Sequence, residues 1–239
     1  MTQPFTKWKV LPHGKLSAIA DNILTVTGEI PMPLMDLPRR MSVVRLNDGR
    51  LVVFSAIALA EDEMAVLEAF GSPAFLIVPN DKHRLDAKIW KERYPLLQVV
   101  APHGARAKVE ETVHVDTVAP RFDDPDLQFM AVPGTRGHEA ALVVRTRGDT
   151  TLILNDLVGN IRGESGFGGW LLRLAGFAGG DAQIPKVVKL MLIDDTSALR
   201  AQLLQWAAIE SLKRILVSHG SPIEDNPRQT LRDLASKLA

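Results

Sequence analysis

Short apolar runs recur along the whole chain, and the spacing of their polar partners switches repeatedly between strand-like and helix-like periods. Ile23–Gly28 reads as a strand. Met41–Leu46 and Arg50–Ser55 follow, joined through Asn47-Asp48-Gly49. An Asp-Gly pair between two β-rich runs marks a hairpin, because its turn needs a positive φ that glycine adopts at little cost. Glu61–Phe70 places Met64, Leu67 and Ala65/Ala69 at helical spacing and is closed by Gly71. Ala74–Val78 is a buried strand by length. Leu85–Arg93 is a helix stopped at Tyr94-Pro95, and Gln98–Ala101 is another strand.

The second half is built in the same style. Leu127–Val132, Ala140–Thr146 and Thr151–Asn155 read as strands, the last two joined by Arg147-Gly148-Asp149. Asp195–Ile209 is a helix capped by Asp195, Thr196 or Ser197, with Leu199, Leu203, Leu204 and Trp206 on its apolar side. Arg214–Ser218 is a final strand and Gln229–Leu238 a final helix. Hairpins that give way to strand–helix units, twice over, fit two mixed sheets covered by helices better than one parallel sheet. No linker composition separates the halves, so residues 1–239 read as a single domain. Gly163–Gly180 breaks the rhythm with seven glycines among Phe167, Trp170, Leu171, Leu172, Leu174 and Phe177. Its position just after Asp156 suggests a cover over a site there, with a packed helix or a dimer contact as the other readings.

Composition narrows the chemistry. With 28 basic and 28 acidic side chains the formal charge is zero, and a general nucleic-acid binder would carry a basic excess. There is no cysteine, so any metal site must be built from His, Asp, Glu or Asn. Met1–Val10 has no apolar run and does not read as a signal peptide, and no stretch has the length of a membrane span. A soluble cytoplasmic protein acting on a small molecule is the default expectation, with neither nucleic acid nor membrane as partner and oligomerisation left open. No phosphate-binding glycine loop follows a strand, and no G-x-S-x-G elbow is present.

The informative residues follow the strands. Ala74–Val78 runs into Pro-Asn80-Asp-Lys82-His83-Arg-Leu-Asp86, Leu127–Val132 into Pro-Gly-Thr-Arg-Gly-His138, Thr151–Asn155 into Asp156, and Arg214–Ser218 into His219. Loops that leave strand ends hold functional groups on a rigid scaffold, and His and Asp are the strongest metal donors in a chain without cysteine. Each residue alone has a plainer reading as a hydrogen-bonded or capping group; together and in this order they point to a site. His13, His103 and His114 read as structural or surface residues, with His103 in reserve and His114 facing solvent in an alternating Val113–Val115 strand. Arg39-Arg40 reads as a solvated pair, or else as a holder of an anionic substrate.

In this order the chain resembles the metallo-β-lactamase-like hydrolases, over roughly residues 23–220, and most closely a branch with a degenerate His-x-His-x-Asp-His loop. His138 in GTRGH, Asp156 in LILND and His219 in LVSHG match the family's middle histidine, metal-bridging aspartate and last histidine. The resemblance implies an αββα sandwich of two mixed sheets flanked by helices. It also implies a metal site formed by His83, Asp86, His138, Asp156 and His219, with Asp156 either a ligand or the group that orients the attacking water. The chain departs from the pattern where Asn80 stands about where the first loop histidine belongs, with Lys82 nearby; these two become candidate substrate-binding groups. The expectation is a hydrolase-like protein with at most one divalent ion (Zn, Fe or Mn). Its rival is a metal-free, non-catalytic relative that binds a small molecule or a protein partner.

Overall fold

The alternation of apolar and polar positions builds two sheets stacked face to face. The computed structural model describes residues 3–32, 35–161 and 182–238. One sheet has six strands in spatial order β1 (Ser17–Ala20), β2 (Ile23–Met32), β3 (Met35–Arg45), β4 (Arg50–Phe54), β5 (Ser72–Ile77) and β6 (Gln98–Val100). The other has four, in the order β10 (Leu212–Gly220), β9 (Asp149–Asn160), β8 (Ala140–Thr146) and β7 (Leu127–Ala131). Hairpin-connected neighbours are antiparallel, whereas β4–β5, β5–β6 and β9–β10 are parallel, so each sheet is mixed. Helices α1 (Glu61–Phe70), α2 (Ala87–Arg93) and α3 (Arg106–Glu110) belong to the first half. In the second half, α4 (Lys186–Leu192), α5 (Thr196–Ala207) and α6 (Pro227–Ser236) follow.

The strand period of two sorts side chains into three apolar layers. Along β4, Leu51 and Val53 join Met64, Leu67 and Trp90 under the first helices, while Val52 and Phe54 point into the space between the sheets. Along β9, Leu152 and Leu154 meet Leu199, Leu203 and Trp206, while Ile153 faces β4 and β5 residues in the middle layer. Strands buried on both faces explain why the sequence shows apolar runs there rather than clean alternation. The expected αββα sandwich is the architecture found.

Several local expectations need revision. β2 and β3 run far beyond Gly28 and start before Met41, pairing from Ile23↔Val44 out to Met32↔Met35. Pro38 does not interrupt β3, because β4 pairs only with Ser42–Arg45 and leaves that stretch an open edge. Its carbonyl points to that edge, so its missing N–H removes no ladder bond. Gly71 does close α1, but its backbone is extended, not left-handed. Glycine is needed there for space: a Cβ would lie 2.4 Å from the Gly49 carbonyl oxygen. The two hairpin turns behave as read, with Gly49 at φ 86° and Arg147 and Gly148 at 43° and 95°. Val113 and Val115 are buried and His114 is exposed, yet they form a loop and not a strand. The short β1, α3 and α4 carry too few turns or alternations to stand out in the sequence. The cover read at Gly163–Gly180 lies outside the described residues. Among the described residues, no helix is long and apolar enough to cross a membrane.

Candidate metal centre

The C-terminal ends of parallel β4 and β5 lie side by side, Phe54 opposite Ile77, so the segments that follow them share one edge of the sheet. Ser55 leaves β4 with φ 58°, a left-handed conformation costly for a residue with a Cβ, and its N–H donates to the Ile77 carbonyl. The segment after β5 is folded around Asn80. The Asn80 side-chain carbonyl accepts the backbone N–H groups of Lys82 (2.9 Å) and His83 (3.1 Å). Its amide donates to Glu139 Oε1 (2.6 Å) and Asp156 Oδ2 (2.7 Å). Asparagine here acts as a brace that turns His83 back towards the sheet edge.

In the other sheet, the register between β9 and β10 jumps from Leu154↔Val217 to Gly159↔His219. Four residues of β9, Asn155–Val158, therefore stand opposite a single residue of β10. Asp156 is thus not past the end of a strand ending at Asn155, as expected, but in a bulge inside β9, and His219 lies within β10. A bulge re-aims a side chain that regular pleating would fix on one face. This one turns Asp156 towards His83.

Three ligand atoms converge at that edge. Asp156 Oδ1 lies 3.0 Å from His83 Nε2 and 3.0 Å from His219 Nε2, and the two Nε2 atoms are 3.3 Å apart. Each imidazole is held from behind: His219 Nδ1 donates to the Pro38 carbonyl (2.6 Å), and His83 Nδ1 meets Ser55 Oγ (2.8 Å). A carbonyl only accepts, so neutral His219 carries its proton on Nδ1 and turns the Nε2 lone pair inward. The opposite ring nitrogen engaged behind is the arrangement that orients histidine for a metal. Donor atoms of a tetrahedral zinc site, about 2.0–2.2 Å from the ion, are about 3.3–3.6 Å from one another. The observed spacings fall at or just under that range, and the donor set fits one small cation.

The electrostatics agree. Burial alone would push the Asp156 carboxyl up, but the charge of His83 and hydrogen bonds from both histidines hold it well below its usual range. Burial would likewise push the His219 imidazole down, yet its hydrogen bond to Asp156 and the negative charge there carry it above its ordinary value. An anionic oxygen drawing two imidazoles together needs positive charge between them, supplied by protons or by a metal ion.

The other predicted residues are distributed around this centre. Asp86 lies outside it: one oxygen is ion-paired with Arg39 Nη1 and the other accepts the Ala58 N–H (3.1 Å). His138 also stands apart from the three, on a loop held by Gly104 N–H to the Gly137 carbonyl. It shares a cavity of about 290 Å³ with Asp81, Lys82, Arg136, Asp156 and the α4 residues Val187, Val188, Met191 and Leu192. Asn80 is fully buried and has all its hydrogen-bonding capacity engaged internally, so it stands behind the cavities and not in them. Lys82 lines both this cavity and a second one of about 200 Å³ that holds His83, Asp156 and His219. His103 is exposed, and Ala60 N–H donates to His13 Nε2. The Arg39-Arg40 pair is not solvated; both side chains are buried.

Three contributors escaped the sequence reading. Ser55 and the Pro38 carbonyl orient the histidines, and nothing in their local sequence marks them. Glu139 adjoins His138 in sequence, a position that draws attention, but only tertiary structure puts its carboxyl against Asn80. Burial, and then the charge of Asp156, push that carboxyl well above its usual range.

Neither a family model nor a curated protein matches this chain. Solved structures do. The Pseudomonas aeruginosa metallo-β-lactamase FIM-1, in its mono-zinc form, is similar at TM-score 0.63 and 11% identity over 96% of this chain and 97% of that one. An Erythrobacter litoralis metallo-β-lactamase is similar at 0.62 and 12%, over 93% and 96%. The metallo-β-lactamase DIM-1 is similar at 0.63 and 10%, over 97% and 100%. The fold is metallo-β-lactamase-like over most of the chain, and a His-Asp-His group that could hold a metal lies at one edge of the sandwich.

Proposed function

We propose that the protein is a hydrolase that binds one divalent metal ion through His83, Asp156 and His219 and acts on a small molecule. The observation that carries this reading is the convergence of His83 Nε2, His219 Nε2 and Asp156 Oδ1, with Pro38 fixing the His219 tautomer from behind. When bound, the ion supplies Lewis acidity, polarising a carbonyl or phosphoryl oxygen and acidifying a water molecule. The chain's own residues do the rest. Ser55 and Pro38 hold the two imidazoles at fixed angles, so little reorganisation accompanies binding. Lys82, whose ammonium pairs with Asp81 at 3.0 Å, lines the same cavity and adds positive charge near a substrate oxygen on which negative charge develops. A cavity of about 200 Å³ admits a small molecule, not a macromolecule.

One ion per chain is proposed because the second oxygen of Asp156 is already engaged by the Asn80 amide. That amide also favours a second reading: a metal-free relative in which protons hold the cluster together and the cavity binds a ligand without chemistry. Metal analysis separates the two. Protein purified without chelator and dialysed against Zn(II), Fe(II) or Mn(II) in turn should retain one equivalent of at least one of them. The retained metal should vanish in His219→Ala. Absence of retention for all three metals would overturn the hydrolase reading in favour of the metal-free one, and two equivalents would overturn the single-ion assignment.

A further inference from the structure

The cavity of about 200 Å³ that holds His83, Asp156 and His219 is rich in charge, yet among the described residues every charge on its wall already has a partner. Arg39 Nη1 donates to Asp86 Oδ2, and the other Asp86 oxygen accepts the Ala58 N–H. The remaining Arg39 nitrogens, Nε and Nη2, are closed to solvent. Lys82 Nζ pairs with Asp81 Oδ2 at 3.0 Å. Asp156 answers both histidines, and the Ser55 hydroxyl meets His83 Nδ1. A ligand with a net charge would lose water on entering this cavity and find each counter-charge taken by a neighbour in the protein. Removing an ion from water without a partner to replace the lost hydration is strongly unfavourable.

The rest of the wall is apolar. Ile30 and Leu37 are directly paired across β2 and β3 and therefore share a face of the hairpin; with Ala56 and Leu85 they complete the lining. Ile30, Leu37 and Leu85 belong to none of the three apolar layers of the core. Ile30 and Leu37 are only half-buried, so their methyl groups are available to something that enters the cavity. Apolar side chains that line a cavity without serving the core, beside a few convergent polar groups, are the usual make-up of a small-molecule site. We propose that this cavity takes an uncharged aliphatic carbonyl compound, its chain against Ile30, Leu37 and Leu85 and its carbonyl oxygen towards the His83–Asp156–His219 group. A carbonyl is polar without net charge and suits this wall; a phosphate ester brings a charge that no lining residue is free to answer. The assignment names the substrate class of the proposed metal site and rests on that reading for its catalytic meaning, but the binding itself needs only the cavity. Ile30, Leu37 and Leu85 are specificity residues, distinct from the groups that hold the ion.

Titration of the methyl resonances of Ile30, Leu37 and Leu85 with 2-hexanone, hexanoate and hexylamine, three ligands of equal chain length and different charge, tests it. The charge preference is read on metal-free protein, because a carboxylate or an amine can ligate an ion directly. 2-Hexanone should shift these resonances and bind about tenfold or more tightly than either ion, the discrimination expected when a charge is desolvated without a partner. Leu37→Lys places an unpaired cation on the wall and should turn the preference to hexanoate. Ile30→Lys, on the paired strand, is the second variant should the first fail to fold, and should do the same. Equal affinity for the ketone and an ion, or no shift of these methyl groups with the ketone, would overturn the proposal while leaving the metal site standing. An unchanged preference in a folded Lys variant would also overturn it. Ketone preference in a protein that retains no metal would uphold the cavity assignment and overturn the hydrolase.

Discussion

The two oxygens of Asp156 meet opposite environments. Oδ1 faces the Nε2 atoms of two imidazoles, each ring held from behind by Ser55 or Pro38. Oδ2 faces the Asn80 amide, which is itself tied to the buried Glu139. Beyond it His138 lies in a mainly apolar cavity against α4, which Asp156 and Lys82 also line. One side gathers three possible metal-ligand atoms; the other is a closed hydrogen-bond network. The lesson is that metal capacity in this fold depends less on how many donors reach the sheet edge than on which of them turn their ligand atoms towards one another. Asn80 has an acceptor oxygen of its own, but it points away, to the N–H groups of Lys82 and His83.

Each prediction tests one side of this contrast. The largest effect is expected for Asp156→Ala, which removes the oxygen common to both histidines; metal retention should fall below detection in elemental analysis. Next is Asn80→Leu. It leaves Asp156 Oδ2, Glu139 and two backbone N–H groups without their partner, and one to a few kcal/mol is expected for each such orphan. A loss of about 3 kcal/mol in urea unfolding is the expected net result, and a loss under about 1 kcal/mol would show the network to be dispensable. Ser55→Ala should leave the stoichiometry at one ion and weaken affinity about 10- to 100-fold, the usual effect of removing a group that orients a ligand. A titration against a competing chelator reads that directly. The smallest effect belongs to His138→Ala, for which metal content and affinity should be unchanged; a substantial loss would mean that the two sides of Asp156 act as one site.

Much of this was legible in the chain itself. Short continuous apolar runs and the two Gly-containing turns imply paired strands buried on both faces. The helix from Glu61 to Phe70 matches the pattern because the helical spacing of Met64 and Leu67 is a local property of the sequence. The residues His83, Asp156 and His219 stood out because imidazole and carboxylate are the only strong donors available without cysteine. Their exact use did not. Asp86 and His83 lie three apart on one short segment, and sequence spacing treats them alike, yet one turns to Arg39 and the other to Asp156.

What separates them is long-range. The β9 bulge that aims Asp156 exists only relative to β10, and register between distant strands has no local signature. The Pro38 carbonyl acts on His219 across 181 positions of sequence, and Arg40 reaches the Gly220 carbonyl across 180. Arg39 and Arg40 read as solvated because arginine pairs usually are. Burial reversed that, since β3 carries them under the end of β10 and beside Asp86. The sequence by itself therefore determined which elements form and which side chains have the chemistry to bind an ion. Tertiary structure alone decided which of those side chains meet, because contacts between residues far apart in the chain are made only when the two sheets close.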